Sequence, residues 1–190
     1  MLAGARRQFL DDYARIRSAE GRGSNESAYY RALPFTDLSG RNSEQWRIRA
    51  RTYRYFVDRV LPRQRSKVLD LGAGNCWLSY RLAESGHEPV SVDIFSDPRD
   101  GLGAARHYPV PFPTVEADFD RLPFTDSSFD LVVFNASVHY SPDYGRNWNQ
   151  FDDGSFNALS AAGGALWAAG ANGRIGVWRG RHRASSPKAP

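Results

Sequence analysis

The chain has 190 residues, of which 41% are hydrophobic, and its formal net charge is +4. This length suits one domain with its own core, and no apolar run approaches the roughly 18 residues that a membrane-spanning helix needs. A single cysteine excludes an internal disulfide framework and favours a cytoplasmic location. Because basic and acidic residues are interspersed over most of the chain, its charge predicts no nucleic-acid partner and no membrane partner.

The first third of the chain has the apolar spacing of helices. Apolar side chains recur with a period of about 3.6 residues up to residue 20, and a polar, glycine-containing segment follows. Asn42 and Gln45 resemble a capping pair at the start of a later helix, which Pro62 stops. We expect residues 1–62 to form a helical extension that packs against a sheet edge or lies over a ligand site.

From residue 67 onward the pattern changes to strands that alternate with helices. Apolar runs predict four strands, at residues 68–71, 89–94, 115–117 and 131–134. This alternation is typical of an α/β fold with a doubly wound, mostly parallel sheet. We expect this core to occupy residues 63–145.

A glycine turn lies between the first predicted strand and the helix that follows it. Gly72 and Gly74 allow a sharp turn and a close approach of the backbone to a ligand, at the N-terminus of a helix. A dinucleotide fingerprint would need a third glycine at the position of Trp77, which counts against a nicotinamide oxidoreductase. Asp70, at the end of the strand, is placed to accept a hydrogen bond from a ligand ammonium group or from a loop N–H.

A second carboxylate ends the next predicted strand. Asp93 follows Gly72 by twenty-one residues, and an acidic group at this spacing can accept both hydroxyls of a ribose. The alternative is a surface carboxylate that merely ends a strand. The preceding glycine turn favours ribose binding.

The central part of the chain resembles the class I S-adenosylmethionine-dependent methyltransferases, from Val68 to about Tyr144. Its first motif is VLDLGAGNCW, with Cys76 where a third glycine is common, and its second is VDIF. The third and fourth motifs follow together as EADFDRLPF, four further residues, and FDLVVFNASVHY. The resemblance implies a Rossmann-like sheet and S-adenosylmethionine as the cofactor.

The resemblance also implies which residues bind the cofactor. The methionine part would lie on the glycine turn, the ribose at Asp93, and the adenine between Ile94 and Asp118. The full implied set is Asp70, Gly72, Ala73, Gly74, Asn75, Asp93, Ile94, Asp118, Phe119, Asn135 and Ala136. Tyr13 is similar in position to an N-terminal lid tyrosine in several such enzymes.

Two further side chains each have two interpretations. His139 follows the fourth strand and is the only histidine placed to act as a general base, or else it is a hydrogen-bonded structural residue of the loop. The helix N-terminus behind Cys76 favours a lowered thiol pKa, whereas a small buried residue in place of glycine would be inert. No Cys/His cluster has the spacing of metal ligands, so we predict no metal.

Residues 146–190 depart from the family pattern and predict an irregular tail. One hairpin is predicted, between residues 165–169 and 174–178 around Asn172-Gly173. Without the outer strands of the family, the fourth strand would keep an open, apolar edge, through which two copies could form a homodimer. We therefore expect a methyltransferase that is truncated or frame-shifted at its C-terminus.

These observations predict a function with one alternative. The chain would transfer a methyl group from S-adenosylmethionine to a small-molecule acceptor. The alternative is a non-catalytic, truncated remnant that keeps only the cofactor-binding turn.

Overall fold

The computed structural model describes residues 3–118, 121–135, 156–162, 165–170 and 175–178. The helices are α1 (Ala3–Ala19), α2 (Ser27–Ala32), α3 (Ser43–Arg59) and α4 (Trp77–Glu84), with a 3-10 helix at Leu102–His107. The strands are β1 (Lys67–Leu71), β2 (Glu88–Asp93), β3 (Thr114–Glu116), β4 (Leu131–Asn135), β5 (Phe156–Ala162), β6 (Ala165–Gly170) and β7 (Ile175–Trp178). Among the described helices, none combines the length and the apolar character that crossing a membrane requires.

The strands form one sheet in the order β3-β2-β1-β4-β5-β6-β7. The first four are mutually parallel, with Leu69 of β1 opposite Val90 of β2 on one side and opposite Val132 of β4 on the other. Neighbouring strands that are distant in sequence require crossover connections, and α4 provides the one between β1 and β2. The predicted Rossmann-like α/β core is therefore confirmed.

After β4, neighbouring strands of the sheet pair in the antiparallel direction. Strand β5 pairs antiparallel with β4, and β6 and β7 form the antiparallel hairpin that the sequence predicts, with Trp167 opposite Val177. The expected open edge of β4 is therefore wrong, because β5 supplies its backbone hydrogen-bonding partners. The edges of the described sheet are β3 and β7 instead.

Alternate residues of β1 serve the two faces of the sheet. Val68 packs in a large apolar cluster with side chains of α2, α3 and α4, and Asp70 contacts Ser79 of α4. Leu69 and Leu71 pack on the opposite face, against Val90 and Val115 of the neighbouring strands and a set of side chains between β3 and β4, namely Ala117, Leu122, Phe124 and Phe129. Burial on both faces explains the nearly continuous apolar run of this strand.

The start of α3 is as predicted, but its capping is not. Asn42 occupies the N-cap position without a side-chain hydrogen bond to the helix. Its side-chain amide instead donates to the Glu20 backbone oxygen at 3.2 Å, and the Gln45 side chain accepts a hydrogen bond from Arg22. These two polar side chains therefore connect α3 to the segment that follows α1, and the predicted capping pair is wrong.

Candidate active site at the glycine turn

The glycine turn is joined by hydrogen bonds to the end of β2. The backbone N–H groups of Gly72 and Ala73 both donate to the Val92 carbonyl, at 2.8 and 3.0 Å. Gly72 and Gly74 have φ values of 70° and 52°, in the left-handed region that favours glycine. Cys76, at the position where a third glycine is common, also has a positive φ of 63°. A side chain at this position is therefore strained, which explains the frequency of glycine there.

Space is open on one side of Gly74. A Cβ atom built on this residue would meet no heavy atom closer than the Asp100 backbone oxygen, at 4.0 Å. The backbone of the turn is therefore not covered by other atoms on this side.

Asp70 lies beneath this turn and is fully buried. One carboxylate oxygen accepts a hydrogen bond from the Ser79 hydroxyl at 2.8 Å, and the Ser91 hydroxyl donates to that of Ser79 at 2.7 Å. The other oxygen, Oδ1, is buried and has no hydrogen-bonding partner. Burial is the main cause that raises the pKa of Asp70 to about 7; the bond from Ser79 opposes this change, and the nearby Asp93 adds to it. An unpartnered acceptor of this kind fits a ligand ammonium group.

Asp93 connects the turn to the segment after β2. Its Oδ2 accepts from the Gly74 N–H at 2.8 Å, and its Oδ1 accepts from the Phe95 N–H at 2.9 Å. Burial raises its pKa, and these backbone hydrogen bonds partly offset that effect. Each carboxylate oxygen has a second lone pair, so both oxygens can accept a further hydrogen bond.

The other predicted cofactor residues that the structure describes lie near the same edge of the sheet. Asn75 is buried, and its backbone oxygen accepts a hydrogen bond from the Tyr108 hydroxyl at 2.8 Å. Ile94 directly follows β2, and Asp118 follows β3, next to Ala117, whose N–H donates to the Asp93 carbonyl at 3.1 Å. Asn135 ends β4, opposite Ala158 of β5. Phe119, Ala136 and His139 lie outside the described residues.

Helix α1 passes beside the end of β2. Tyr13 contacts Phe95 edge to face, with 5.1 Å between ring centroids, and the Arg17 guanidinium lies 5.5 Å from the Tyr13 centroid. Burial raises the pKa of Tyr13, although Arg17 opposes this. The helical extension therefore contacts the segment next to the predicted ribose site, where the sequence places a lid tyrosine.

A group of arginines near the turn has no counterpart in the predictions from sequence. Arg17 forms an ion pair with Asp100, which is buried, and Arg22 pairs with Glu20 at 3.1 Å. Arg49 lies over the Trp46 ring, with its guanidinium carbon 4.5 Å from the centroid. These residues come from α1, the segment after it, and α3, so no local sequence pattern brings them together.

Comparison with known proteins finds methyltransferases. A family model described as a methyltransferase domain matches residues 69–162. An uncharacterized methyltransferase of Mycobacterium tuberculosis is 34% identical over 84 residues, which are 44% of this chain and 33% of that protein. A demethylmenaquinone methyltransferase of Corynebacterium efficiens is 36% identical over 112 residues, which are 59% of this chain and 44% of that protein.

One solved structure is similar over a comparable region. A crystal structure of a Pyrococcus horikoshii protein is 32% identical, with a TM-score of 0.46, and the match covers 62% of this chain and 55% of that one. The chain thus spans between one third and about half of the length of these relatives. The region that the family model matches, residues 69–162, contains the glycine turn and the ends of β1 and β2. Residues 69–162 therefore form a methyltransferase domain of the class I S-adenosylmethionine-dependent kind, a group whose cofactor is S-adenosylmethionine.

Proposed function

We propose that this chain transfers a methyl group from S-adenosylmethionine to a small-molecule acceptor. The observation that carries the proposal is the open space beside Gly74, in a turn that Asp93 holds and that follows the strand of Asp70, whose Oδ1 has no partner. A cofactor with an ammonium group, a ribose and an adenine matches the groups gathered there.

Each residue has a role in binding. Asp70 Oδ1 would accept a hydrogen bond from the ammonium group, and the free lone pairs of Asp93 would accept the ribose hydroxyls. Ile94 would pack on the adenine, and Asp118 would accept its amino group. Further proposed contacts come from Ala73, Asn75, Phe119, Asn135 and Ala136.

Methyl transfer requires the protein mainly to orient the methyl donor and the acceptor. When bound, the sulfonium of S-adenosylmethionine supplies a methyl group that its positive charge activates toward a nucleophile. The chain would hold the two reactants in line, which is the main source of acceleration in such a displacement. We propose His139 as the general base for an acceptor that must lose a proton. If His139 is only a structural residue of the loop, its substitution should leave turnover unchanged.

The broader organisation is proposed in the same way. Residues 1–62 would form the lid and residues 63–145 the cofactor-binding core, and residues 146–190 would follow as a C-terminal part whose strands β5–β7 extend the sheet. The protein would act in the cytoplasm, without a nucleic-acid or membrane partner. If two copies associate through the sheet, they would use an outer edge, since β4 is covered by β5.

Titration calorimetry with S-adenosylhomocysteine tests the cofactor site. We expect the wild type to bind, and Asp93→Ala to weaken binding by about 1–3 kcal/mol because ribose hydroxyls lose their acceptors. Asp58→Ala is the control, since Asp58 is an exposed carboxylate on α3. Thermal unfolding of each variant separates lost contacts from lost folding. Unchanged affinity in folded Asp93→Ala would remove Asp93 from the site.

Turnover separates the enzyme from a non-catalytic remnant. We expect methyl transfer from S-adenosylmethionine to a member of a panel of small nucleophilic acceptors, and His139→Ala to lower the rate while cofactor affinity is kept. Binding of S-adenosylhomocysteine without turnover on any acceptor would favour the remnant.

A further inference from the structure

Four side chains near the glycine turn form a cluster of hydrogen-bond donors, and several of these donors have no acceptor. This donor cluster consists of Arg22, Tyr29, Trp46 and Arg49. Tyr29 and Trp46 are 3% and 2% exposed, and the side chain of Arg22 is 7% exposed. Nevertheless the Tyr29 hydroxyl, the Trp46 indole nitrogen and Nη1 of Arg22 have no hydrogen-bonding partner. Buried polar groups without partners are rare in native proteins, and each one calls for an explanation.

These groups lie in one place. The guanidinium of Arg49 covers the Trp46 ring, and Nη2 of Arg22 donates to Gln45, the residue before Trp46. The Trp46 indole is close enough to the Tyr29 hydroxyl to lower its pKa slightly, although the two atoms do not form a hydrogen bond of normal geometry. Burial dominates and raises the pKa of Tyr29 to about 12, so this hydroxyl remains a donor at neutral pH.

The charges around the cluster are unbalanced. Three guanidinium groups, those of Arg17, Arg22 and Arg49, lie around the cluster together with the carboxylates of Glu20, Asp37 and Asp100, but these carboxylates are unevenly placed. Asp100 pairs with Arg17, and Glu20 lies between Arg17 and Arg22. Among the described residues, no carboxylate lies within ion-pair distance of Arg49. Burial and the two neighbouring arginines lower its pKa to about 10, which reflects the cost of this uncompensated charge.

The donor cluster adjoins the cofactor turn. The Trp46 ring contacts the Trp77 ring edge to face, at 6.1 Å between centroids, and Trp77 is the first residue of α4 after the turn. The Asp100 backbone oxygen is the nearest atom, at 4.0 Å, to a Cβ built on Gly74, and the Asp100 carboxylate acts on the charge of Arg49. The donor cluster therefore contacts the helix that follows the turn.

We propose that the donor cluster of Arg22, Tyr29, Trp46 and Arg49 binds a carboxylate group of a ligand at the glycine turn, an inference that rests on the proposed function. A carboxylate only accepts hydrogen bonds, and its negative charge would give Arg49 the ion-pair partner that it lacks among the described residues. Two sources supply such a group: the amino-acid part of the cofactor, or an acidic methyl acceptor.

Calorimetry with two ligands distinguishes the sources. S-adenosylhomocysteine carries the carboxylate, and its decarboxylated analogue keeps the amine but lacks it. Arg49→Gln removes the charge, Arg49→Lys restores it, and Trp46→Phe removes only the indole N–H while keeping a ring against Trp77. Arg47→Gln is the matched control, because Arg47 is an exposed arginine two residues away on α3. Thermal unfolding verifies that each variant folds.

If the carboxylate belongs to the cofactor, Arg49→Gln weakens S-adenosylhomocysteine binding about 10- to 100-fold and leaves the analogue within about twofold. Arg49→Lys should recover part of the loss, and Trp46→Phe should cause a smaller one. Arg47→Gln should bind both ligands like the wild type.

If the carboxylate belongs to the acceptor, S-adenosylhomocysteine binding stays unchanged in these variants. Benzoate, titrated with and without S-adenosylhomocysteine, should then shift the Trp46 indole N–H resonance in the wild type but not in Arg49→Gln. The Trp46→Phe spectrum assigns that resonance.

One result overturns the proposal. If both nucleosides bind Arg49→Gln and Trp46→Phe as they bind the wild type, and benzoate leaves the Trp46 resonance unmoved, the cluster is not a carboxylate site. A wild type that fails to bind S-adenosylhomocysteine would instead contradict the proposed function, while the benzoate titration would still test the cluster.

Discussion

The glycine turn has a carboxylate side and a guanidinium side, and the two are built differently. On the carboxylate side, Asp70 and Asp93 end adjacent parallel strands and are fixed by hydrogen bonds from Ser79 and from the turn itself. On the guanidinium side, Arg17 comes from α1, Arg22 from the segment after it and Arg49 from α3, and Nη1 of Arg22 has no hydrogen-bonding partner. The carboxylates therefore form part of the turn, whereas the arginines surround it.

This difference indicates different sensitivities. Loss of a carboxylate should change the conformation of the turn and the pH dependence of stability, since each carboxylate accepts hydrogen bonds from the turn or from the helix after it. Loss of an arginine should affect either the packing of α1 or a ligand, depending on whether that arginine has a carboxylate partner.

The largest expected effect is on the guanidinium side. Arg17→Met would leave the buried Asp100 carboxylate without its partner, and we expect a loss of about 3 kcal/mol in the free energy of unfolding. Urea denaturation would measure it. Adding Asp100→Leu should recover part of the loss, because removing both charges of a buried pair is less costly than removing one.

A matched control is available on the same helix. Arg15 pairs with Asp12 at the surface, with side chains 73% and 47% exposed. Arg15→Met should change the free energy of unfolding by less than about 1 kcal/mol. Equal losses in Arg15→Met and Arg17→Met would contradict the role of the buried pair.

The second-largest expected effect is on the carboxylate side, where the free energy of unfolding should depend on pH. The pKa of Asp70 is raised to about 7 in the fold, so the folded protein binds more protons than the unfolded chain between about pH 4 and pH 7. The stability of the cofactor-free protein should therefore fall as the pH rises, by up to about 3 kcal/mol between pH 5 and pH 8 from this group.

Asp70→Asn removes this titration but keeps an acceptor for Ser79. Urea denaturation across this pH range should give a flatter profile for Asp70→Asn than for the wild type. If both profiles have the same slope, Asp70 is already ionised in the fold and its burial does not control its pKa.

The two sides also differ in how far the sequence predicts them. Asp70, Gly72 and Gly74 belong to one strand-turn-helix segment, and Asp93 follows at a spacing that the parallel sheet imposes, so local pattern suffices. The donor cluster could not be predicted, because the contact between Arg22 and the residue before Trp46 depends on how α1 packs against α3. Likewise, the apolar run of β4 predicts a strand but does not reveal that β5 would pair with it antiparallel.

The smallest expected effect lies within the turn, at Cys76. Burial raises the pKa of its thiol, so iodoacetamide should not react with the folded protein and should react after denaturation. Cys76→Gly relieves a left-handed conformation worth about 1–2 kcal/mol but loses a small buried side chain, so stability should change by about 1 kcal/mol or less. Rapid alkylation of the native protein would contradict the inert interpretation.

The central claim is that the carboxylate side of the turn binds the ammonium group of the cofactor through Asp70. Calorimetric titration of S-adenosylhomocysteine at pH 6 and pH 7.5 tests it most directly, with Asp70→Asn beside the wild type. Because binding requires the ionised carboxylate, wild-type affinity should increase about five- to tenfold over this range, and Asp70→Asn should bind more weakly without that dependence. Equal affinity of both proteins at both pH values would contradict the account.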